Sequence, residues 1–323
     1  MKTVLILALE GVMDSSLAIT LDTLRASQAF LSGAGKPPRV RISVAGHRKA
    51  IRTGAGLQLT PDLTFKDALV ATPRPDWIVV PALGLTTDEA ITTRLPQKDA
   101  MAAMDLLREA PTAARIAASC SSVFLLAATG LLSEREATTT WWLAHLFRVR
   151  HPDVRLDETK MLVRDGRYLT AGSAYSQLDL MLAIVADTMG TNIAHLCSRY
   201  LLIDQRSSQA RYMMQAHVQQ LDPTVLAAER WIDAHLAEPI SITSLAAELS
   251  LSAKTLARRI DAATGITPLK FIQRRRLLHA SHLIETTAMS IEAVAAEVGY
   301  QDGTALRKLI KREFGTTPGA LRG

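Results

Sequence analysis

The chain has 323 residues, of which 48% are hydrophobic and 21% charged, and its formal net charge is +6. This length and composition fit two domains of ordinary size or one large one, and they exclude a disordered or collagen-like chain. Two cysteines in so long a chain exclude a disulfide scaffold and favour a reducing compartment.

The N-terminal segment MKTVLILALE carries a short apolar run that stops at Glu10. The run is too short for the apolar region of a secretory signal, and no small-residue cleavage site follows it. No later stretch approaches the roughly 20 apolar residues of a membrane span. The chain is therefore predicted to be cytoplasmic, with no membrane partner.

The first half of the chain alternates between apolar, β-branched runs and helical patterns. The predicted strands lie at 3–9, 40–46, 76–82 and 114–120, and the predicted helices lie at about 17–32, 98–110 and 122–130. A hairpin follows in MLVRDGRYLTAG, with Asp165-Gly166 as its turn, and a further helix covers about 175–189. A parallel sheet covered on both faces requires such runs, so we predict an α/β doubly wound N-terminal domain.

The pattern changes after about residue 205. The segment that ends at Pro223 is polar and weakly periodic, which indicates a connection between domains. Beyond it come short helices with sharp start and stop signals. We predict a first domain over 1–195, a connecting segment over 196–222 and an all-α second domain over 223–323.

The all-α domain contains an internal repeat. SLAAELSLSAKTLARRIDAATGITP (244–268) matches EAVAAEVGYQDGTALRKLIKREFGTTP (292–318) at a separation of 49 and then 50 residues. In each copy a capping residue, Ser252 or Asp302, opens a second helix that ends at a glycine, and a Thr-Pro signal follows. The one-residue difference falls in the turn between the two helices. Each copy is predicted to be a helix-turn-helix, and a helix at 268–285 joins them.

In a helix-turn-helix, the start of the second helix meets base edges in the major groove, and other cations bind phosphates. The residues predicted to bind DNA are Ala253, Lys254, Thr255, Arg258 and Arg259 in the first unit, and Gln301, Gly303, Thr304, Arg307, Lys308 and Lys311 in the second. From Lys254 to Arg276 there are seven Lys or Arg residues against one acid, which also favours an acidic partner. The alternative is a helical bundle whose basic faces are merely solvated.

Residues 223–322 resemble the DNA-binding domain of AraC/XylS transcription regulators. The resemblance rests on LAAELSLSAKTLARRIDAATGITPLKFIQRRRL, on AAEVGYQDGTALRKLIKREFGTTPGALR and on the spacing between them. Leu306 and Ile310 stand where the family commonly has Phe, which changes the shape of the core rather than a DNA contact. The resemblance implies binding to double-stranded operator DNA.

The stretch RIAASCSSVFLLAATG places Cys120 between an apolar run and a helix. With the VVPALG loop and the EATTTWW segment, it makes residues 1–195 resemble the ThiJ/PfpI group of the class I glutamine-amidotransferase-like superfamily. Enzymes of that group carry a nucleophilic cysteine on this turn, where the helix N-terminus favours thiolate. A nucleophile also needs a base, yet Thr140 and Ser16 stand where members supply histidine or glutamate. His145, one helical turn beyond Thr140, is the displaced alternative.

What remains is predicted to be a pocket for a small molecule at the carboxyl ends of the strands. Its candidate residues are Asp14, Ser15, Gly84, Ser119, Cys120, Ser121, Trp141 and Trp142. A tryptophan wall can hold a cationic amine, although both tryptophans can equally be core residues and Cys120 an inert bend residue. No catalytic residue, metal or cofactor is predicted.

Together the two resemblances imply a ligand-responsive transcription regulator that is not an enzyme. They imply operator DNA, RNA polymerase and a second copy of the chain as partners, and a small effector such as an amino acid or an amine. Two other functions stay open. One is a cysteine-dependent hydrolase or glyoxalase-like enzyme with a DNA-binding appendage, and the other is an architectural DNA-binding protein without a ligand.

Overall fold

A computed structural model describes residues 1–33, 35–204, 206, 208–213 and 222–322. The chain divides into two compact units, Met1–Ser207 and Ser208–Gly323. The connecting segment predicted over 196–222 lies partly outside the described residues, which leave out 205, 207 and 214–221. Within the described ranges, no helix combines the length and the apolar character needed to cross a membrane.

The first unit is built on a mostly parallel sheet. Its strands are β1 (Lys2–Ala8), β2 (Val40–Gly46), β3 (Ile51–Arg52), β4 (Gln58–Leu59), β5 (Leu63–Thr64), β6 (Trp77–Val80), β7 (Arg115–Ser119), β8 (Glu136–Ala137), β9 (Arg155–Leu156), β10 (Leu162–Asp165) and β11 (Tyr168–Ala171). Over the described residues, the main sheet has the order β10-β11-β7-β6-β1-β2-β5, and β10 is antiparallel to its neighbour. Short ribbons β3–β4 and β8–β9 lie outside it.

Helices cover both faces of this sheet. They are α1 (Asp14–Gly33), α2 (Phe65–Val70), α3 (Asp88–Arg94), α4 (Lys98–Glu109), α5 (Ser122–Ala128), α6 (Ala144–Arg150), α7 (Gln177–Met189) and α8 (Thr191–Tyr200). On β1, Leu5 and Leu7 face a core shared with α2, α4 and α5, whereas Val4 and Ile6 face a core shared with α1 and α7. The alternation buries both faces, so the predicted doubly wound α/β fold is confirmed.

Three details of this unit differ from the sequence prediction. Asp165 pairs with Tyr168 across the hairpin, so the turn residues are Gly166 and Arg167, with φ +58° at Gly166. Asp165 is instead a strand residue whose carboxylate accepts the Glu136 N–H at 2.9 Å. Helices α2, α3 and α6 had no predicted counterpart. Helix α8 continues five residues past 195, because Cys197 on it is buried against α1.

The second unit is all-α in the part of it that is described. Its helices are α9 (Pro223–Ala234), α10 (Ile242–Glu248), α11 (Ala253–Thr264), α12 (Pro268–Thr286), α13 (Ile291–Glu297), α14 (Gly303–Phe314) and α15 (Pro318–Leu321). Ser252 and Asp302 cap α11 and α14, and Gly265 and Gly315 end them in the left-handed conformation. The turn is 249–252 in the first copy and 298–302 in the second, which confirms that the repeat differs in its turns.

Two separate hydrophobic cores lie within the second unit. One joins α9, α10 and α11 to the start of α12, where Phe271 and Ile272 are buried. The other joins α13, α14 and α15 to the rest of α12, where Leu277 and Ile284 are buried. Helix α12 therefore belongs to both helix-turn-helix copies.

Candidate functional site

Cys120 lies on a strained turn between β7 and α5. Its φ is +54°, in the left-handed region that is costly for a residue with a Cβ atom. Its N–H donates to the Gly172 carbonyl oxygen at 2.8 Å, and its own carbonyl oxygen accepts the Thr139 hydroxyl at 2.7 Å. Contacts to two neighbouring segments thus hold the backbone in this conformation.

The Cys120 thiol is buried, with 1% of the residue exposed. Burial raises its pKa to about 11, and the hydrogen-bonding groups of Ser121 and Thr140 only partly oppose that rise. The thiol is therefore protonated at neutral pH. Loss of hydration thus opposes the thiolate that the family resemblance implies at this turn.

The groups around the turn are neutral hydroxyls. Ser16, fully buried at the start of α1, accepts the Ala82 N–H at 2.8 Å. Ser121, at the start of α5, accepts the Leu85 N–H at 3.1 Å. Both contacts fix the loop after β6, in which Gly84 has φ +66°. This arrangement can hold polar groups of a ligand, but serine hydroxyls do not act as general bases at neutral pH.

Asp14 and Ser15 lie at the start of α1, and the Asp14 carboxylate binds a segment outside this helix. Its carboxylate accepts the Ala55 N–H at 2.8 Å. Its pKa is lowered, chiefly by the hydroxyl of Thr53 and then by that N–H. Asp14 therefore holds the loop between β3 and β4, while Ser15 is half-buried in the first turn of α1.

The predicted pocket residues Trp141 and Trp142 pack edge to face, with ring centroids 5.3 Å apart. Trp142 packs against the core on the α5 side of the sheet, and its buried indole N–H has no partner among the described residues. The fully buried Ser119 hydroxyl likewise has none in the described part of the chain. His145 is exposed on α6, and it is not among the groups that set the pKa of Cys120.

A polar chain between α1 and α7 was not predicted. The Gln177 side-chain amide donates to the Thr20 hydroxyl at 2.7 Å, and that hydroxyl donates to the Ser16 carbonyl oxygen at 2.7 Å. All three residues are fully buried. Gln177 at the start of an apolar helix was the available sequence signal, because a buried amide needs partners.

The first helix-turn-helix presents fewer cations than predicted. Lys254 and Arg258 are exposed on α11, and Ala253 and Thr255 are partly buried at its start. Arg259 is half-buried, and it donates to the Asp222 carboxylate at 3.3 Å and to the Thr224 hydroxyl. Arg259 therefore joins α11 to α9 and is already partnered.

The second helix-turn-helix is more basic on its surface. Gln301, Thr304, Lys308 and Lys311 are exposed on or beside α14. Arg307 is exposed too, and it donates to the Glu292 carboxylate at 2.9 Å. Gly303 is buried, and a Cβ there would lie 2.7 Å from Oε1 of the exposed Glu292 side chain, which would have to move to make room.

Part of the basic run is buried. Arg274 and Arg275 are 8% and 4% exposed. Arg275 donates to Asp233 at 3.1 Å and to Glu229 at 3.4 Å, and burial raises the pKa of the Glu229 carboxyl. Because Arg274 and Arg275 are buried, fewer positive charges are exposed at the surface than the number of basic residues in the run suggests.

Each of the two units is similar to known proteins. The DJ-1/PfpI family model matches residues 2–187, and a helix-turn-helix domain model matches residues 245–323. The HTH-type transcriptional regulator GlxA of Rhizobium meliloti is 29% identical over 64% of this chain and 65% of its own length, so the chain spans just under two thirds of it. The HTH-type transcriptional activator RhaS of Escherichia fergusonii is 35% identical over 28% of this chain and 33% of its own length. Drosophila melanogaster DJ-1beta shares the fold of the first unit, with a TM-score of 0.50, 20% identity and coverage of 63% of this chain and 99% of its own.

Proposed function

The chain belongs to the DJ-1/PfpI family through residues 2–187, and on that premise we propose that it is a DNA-binding transcription regulator. Its second unit reads operator DNA through two AraC-type helix-turn-helix copies. Its first unit senses a small molecule and catalyses no reaction. RNA polymerase and a second copy of the chain are further partners in this proposal.

One observation carries the DNA-binding part. The second helix of each copy exposes basic side chains on the face away from its own core, Lys254 and Arg258 on α11 and Lys308 and Lys311 on α14. If these cations were merely solvated, nothing would require both copies to carry them on the second helix. A helix-turn-helix uses this helix for the major groove.

The chemistry around Cys120 supports sensing without catalysis. Its thiol is protonated at neutral pH, and its hydrogen-bonding neighbours are hydroxyls. The unpaired Ser119 hydroxyl is a polar group that a bound ligand can satisfy, since an unsatisfied buried hydroxyl costs about 1–3 kcal/mol. An amino acid or an amine matches these hydroxyls and the nearby tryptophans in chemistry.

The DNA-binding part is tested by selecting bound fragments from a random DNA pool with the full chain, over a series of salt concentrations. We expect enrichment of a site with two motifs about one helical turn apart. Sequence-blind binding that disappears with salt would favour an architectural protein. Absence of binding, with turnover that is lost in Cys120→Ser, would favour an enzyme.

The sensing part is tested by thermal denaturation of the full chain with a panel of amino acids and amines. A ligand at 100 times its dissociation constant adds about 2.7 kcal/mol to the free energy of unfolding. Ser119→Ala should abolish that gain while leaving the ligand-free protein at least as stable, because it removes an unpaired buried hydroxyl. Thr92→Ala, on exposed α3, is the matched control and should keep the gain.

A further inference from the structure

The two helix-turn-helix copies have separate hydrophobic cores, and both cores include residues of α12. Phe271 and Ile272 end the buried stripe of the first core, and Leu277 begins that of the second. The four residues between them, 273–276, are Gln-Arg-Arg-Arg. These polar residues therefore interrupt the apolar surface of α12 at the point where the two copies adjoin.

Arg276 bridges the copies at this interruption. Its Nη2 donates to the Glu238 carbonyl oxygen at 2.5 Å, in the loop between α9 and α10. Its Nη1 donates to the Gly299 carbonyl oxygen at 3.2 Å, in the turn between α13 and α14. One planar guanidinium thus binds a backbone oxygen of each copy through two nitrogens held in a fixed fork, whereas a Lys ammonium offers one nitrogen on a flexible stem.

The backbones of the copies also meet directly beside this bridge. A Cβ at Gly299 would overlap the Leu236 carbonyl oxygen, so only glycine allows this approach. The Tyr300 ring lies under the Arg276 guanidinium, 5.9 Å from its carbon to the ring centroid. Arg276 is half-buried, so solvent only partly weakens these contacts.

We propose that Arg276 is a positioning residue that fixes α11 relative to α14, and thereby sets the spacing between the two DNA motifs that one chain accepts. This inference rests on the proposed function. Helix α12 has 19 residues and is about 28 Å long, near the roughly 34 Å between successive major-groove segments on one face of DNA. Inserting one base pair moves the second motif by about 3.4 Å and turns it around the axis.

The DNA test compares the selected site with versions that carry one base pair more or less between the motifs. For the wild-type full chain, we expect either change to weaken binding by about tenfold or more. In Arg276→Met, which keeps an unbranched stem but no donors, that penalty should fall to about threefold or less. Arg276→Lys keeps the charge and should also relax the spacing, because a single nitrogen on a flexible stem does not fix the two carbonyl oxygens as the planar guanidinium does.

Lys270→Met is the control, since it removes one exposed charge from the same helix. It should weaken binding to every spacing by the same factor and keep the wild-type penalty. Equal weakening of all spacings by Arg276→Met would overturn the proposal, because loss of charge or of stability alone acts in that way.

A measurement without DNA separates this proposal from the proposed function. Spin labels on Lys254→Cys and Thr304→Cys report the distance between α11 and α14 in the full chain, while both native cysteines are buried. We expect a narrow distance distribution that broadens in Arg276→Met and stays narrow in Lys270→Met. An unchanged distribution in Arg276→Met would refute the bridge even if DNA binding is confirmed. A broadened one would support the bridge even if no DNA motif is selected.

Discussion

At the scale of single residues, the strained φ of Cys120 and the burial of its thiol affect different properties. The turn follows the carboxyl end of β7, which is where a nucleophile elbow places its reactive residue. Burial keeps the proton on the sulfur, with the pKa raised to about 11. The turn of the family is therefore present, while burial opposes ionisation of its thiol.

Alkylation of the native chain tests this separation. At pH 7.5 only about 0.03% of a thiol with this pKa is ionised, so Cys120 should react slowly with iodoacetamide, and the rate should rise through pH 9 without a plateau. Mass spectrometry after a timed reaction gives the rate, with buried Cys197, whose pKa burial also raises, as the internal control. A plateau between pH 5 and pH 8 would show a reactive thiolate.

The same shift in pKa predicts a change of stability with pH. Because the folded value of about 11 exceeds the ordinary value of 9.0, the folded state holds the proton more tightly than the unfolded state. The stability contribution of Cys120 is complete below pH 9 and is lost as pH rises toward 11. Cys120→Ala should flatten this part of the profile in urea denaturation. An unchanged profile would contradict the assignment.

A third prediction at this scale concerns the buried ion pair of Arg94 and Asp99, which are 7% and 5% exposed. Arg94 donates to both carboxylate oxygens, at 2.9 and 2.5 Å, and to the Glu10 carbonyl oxygen at 2.9 Å. Arg94→Met should lower the free energy of unfolding by about 3–5 kcal/mol, because it leaves a buried carboxylate unpaired. Arg94→Met/Asp99→Leu should cost less than that single change. A double variant that loses more than Arg94→Met alone, in denaturation followed by tryptophan fluorescence, would argue against the pair.

At the scale of helices and strands, local caps decide where α11 and α14 begin. Ser252 accepts the Thr255 N–H at 3.1 Å, and Asp302 accepts the Ala305 N–H at 2.7 Å. Asp302→Ala should lower the stability of α14 by about 1 kcal/mol, whereas Asp302→Asn should retain most of it. Hydrogen exchange of the α14 amides measures this, and the α11 amides serve as the unaffected reference. Equal exchange in Asp302→Ala and the wild type would show that tertiary packing alone holds the helix start.

Such local signals explain how much the sequence could predict. The bounds of α11 and α14, and the alternation that buries β1, depend on residues near in sequence. The roles of Arg259 and Arg275 depend on acids 37 and 46 residues away, so composition counted both as free cations. The pKa of Cys120 likewise depends on burial by segments that are remote in sequence. Family resemblance located the turn, but only the fold shows its ionisation.

At the scale of the whole molecule, the net charge of +6 does not show which basic side chains are exposed, because several of them are paired within the fold. In the second unit, Arg274 and Arg275 are buried, and Arg259 and Arg276 are half-buried and hydrogen-bonded to other segments of the unit. The cations left exposed on the second helices are Lys254, Arg258, Arg307, Lys308, Lys311 and Arg312. DNA affinity should therefore depend on these few side chains rather than on overall basicity.

Arg258→Ala and Lys308→Ala separate base contacts from phosphate contacts in the full chain. Arg258 lies near the start of α11, so its loss should cost about 1–3 kcal/mol at the selected site and relax the preference at one base pair. Lys308, if it binds phosphate, should weaken all sequences alike and lower the slope of log affinity against log salt by about 0.9. Lys98→Ala, an exposed cation of the first unit, is the charge control and should change neither quantity. Titrations of selected and scrambled DNA across salt concentrations measure both effects. Equal losses on selected and scrambled DNA in Arg258→Ala would place this side chain on phosphate and move base reading to Lys254 and Thr304.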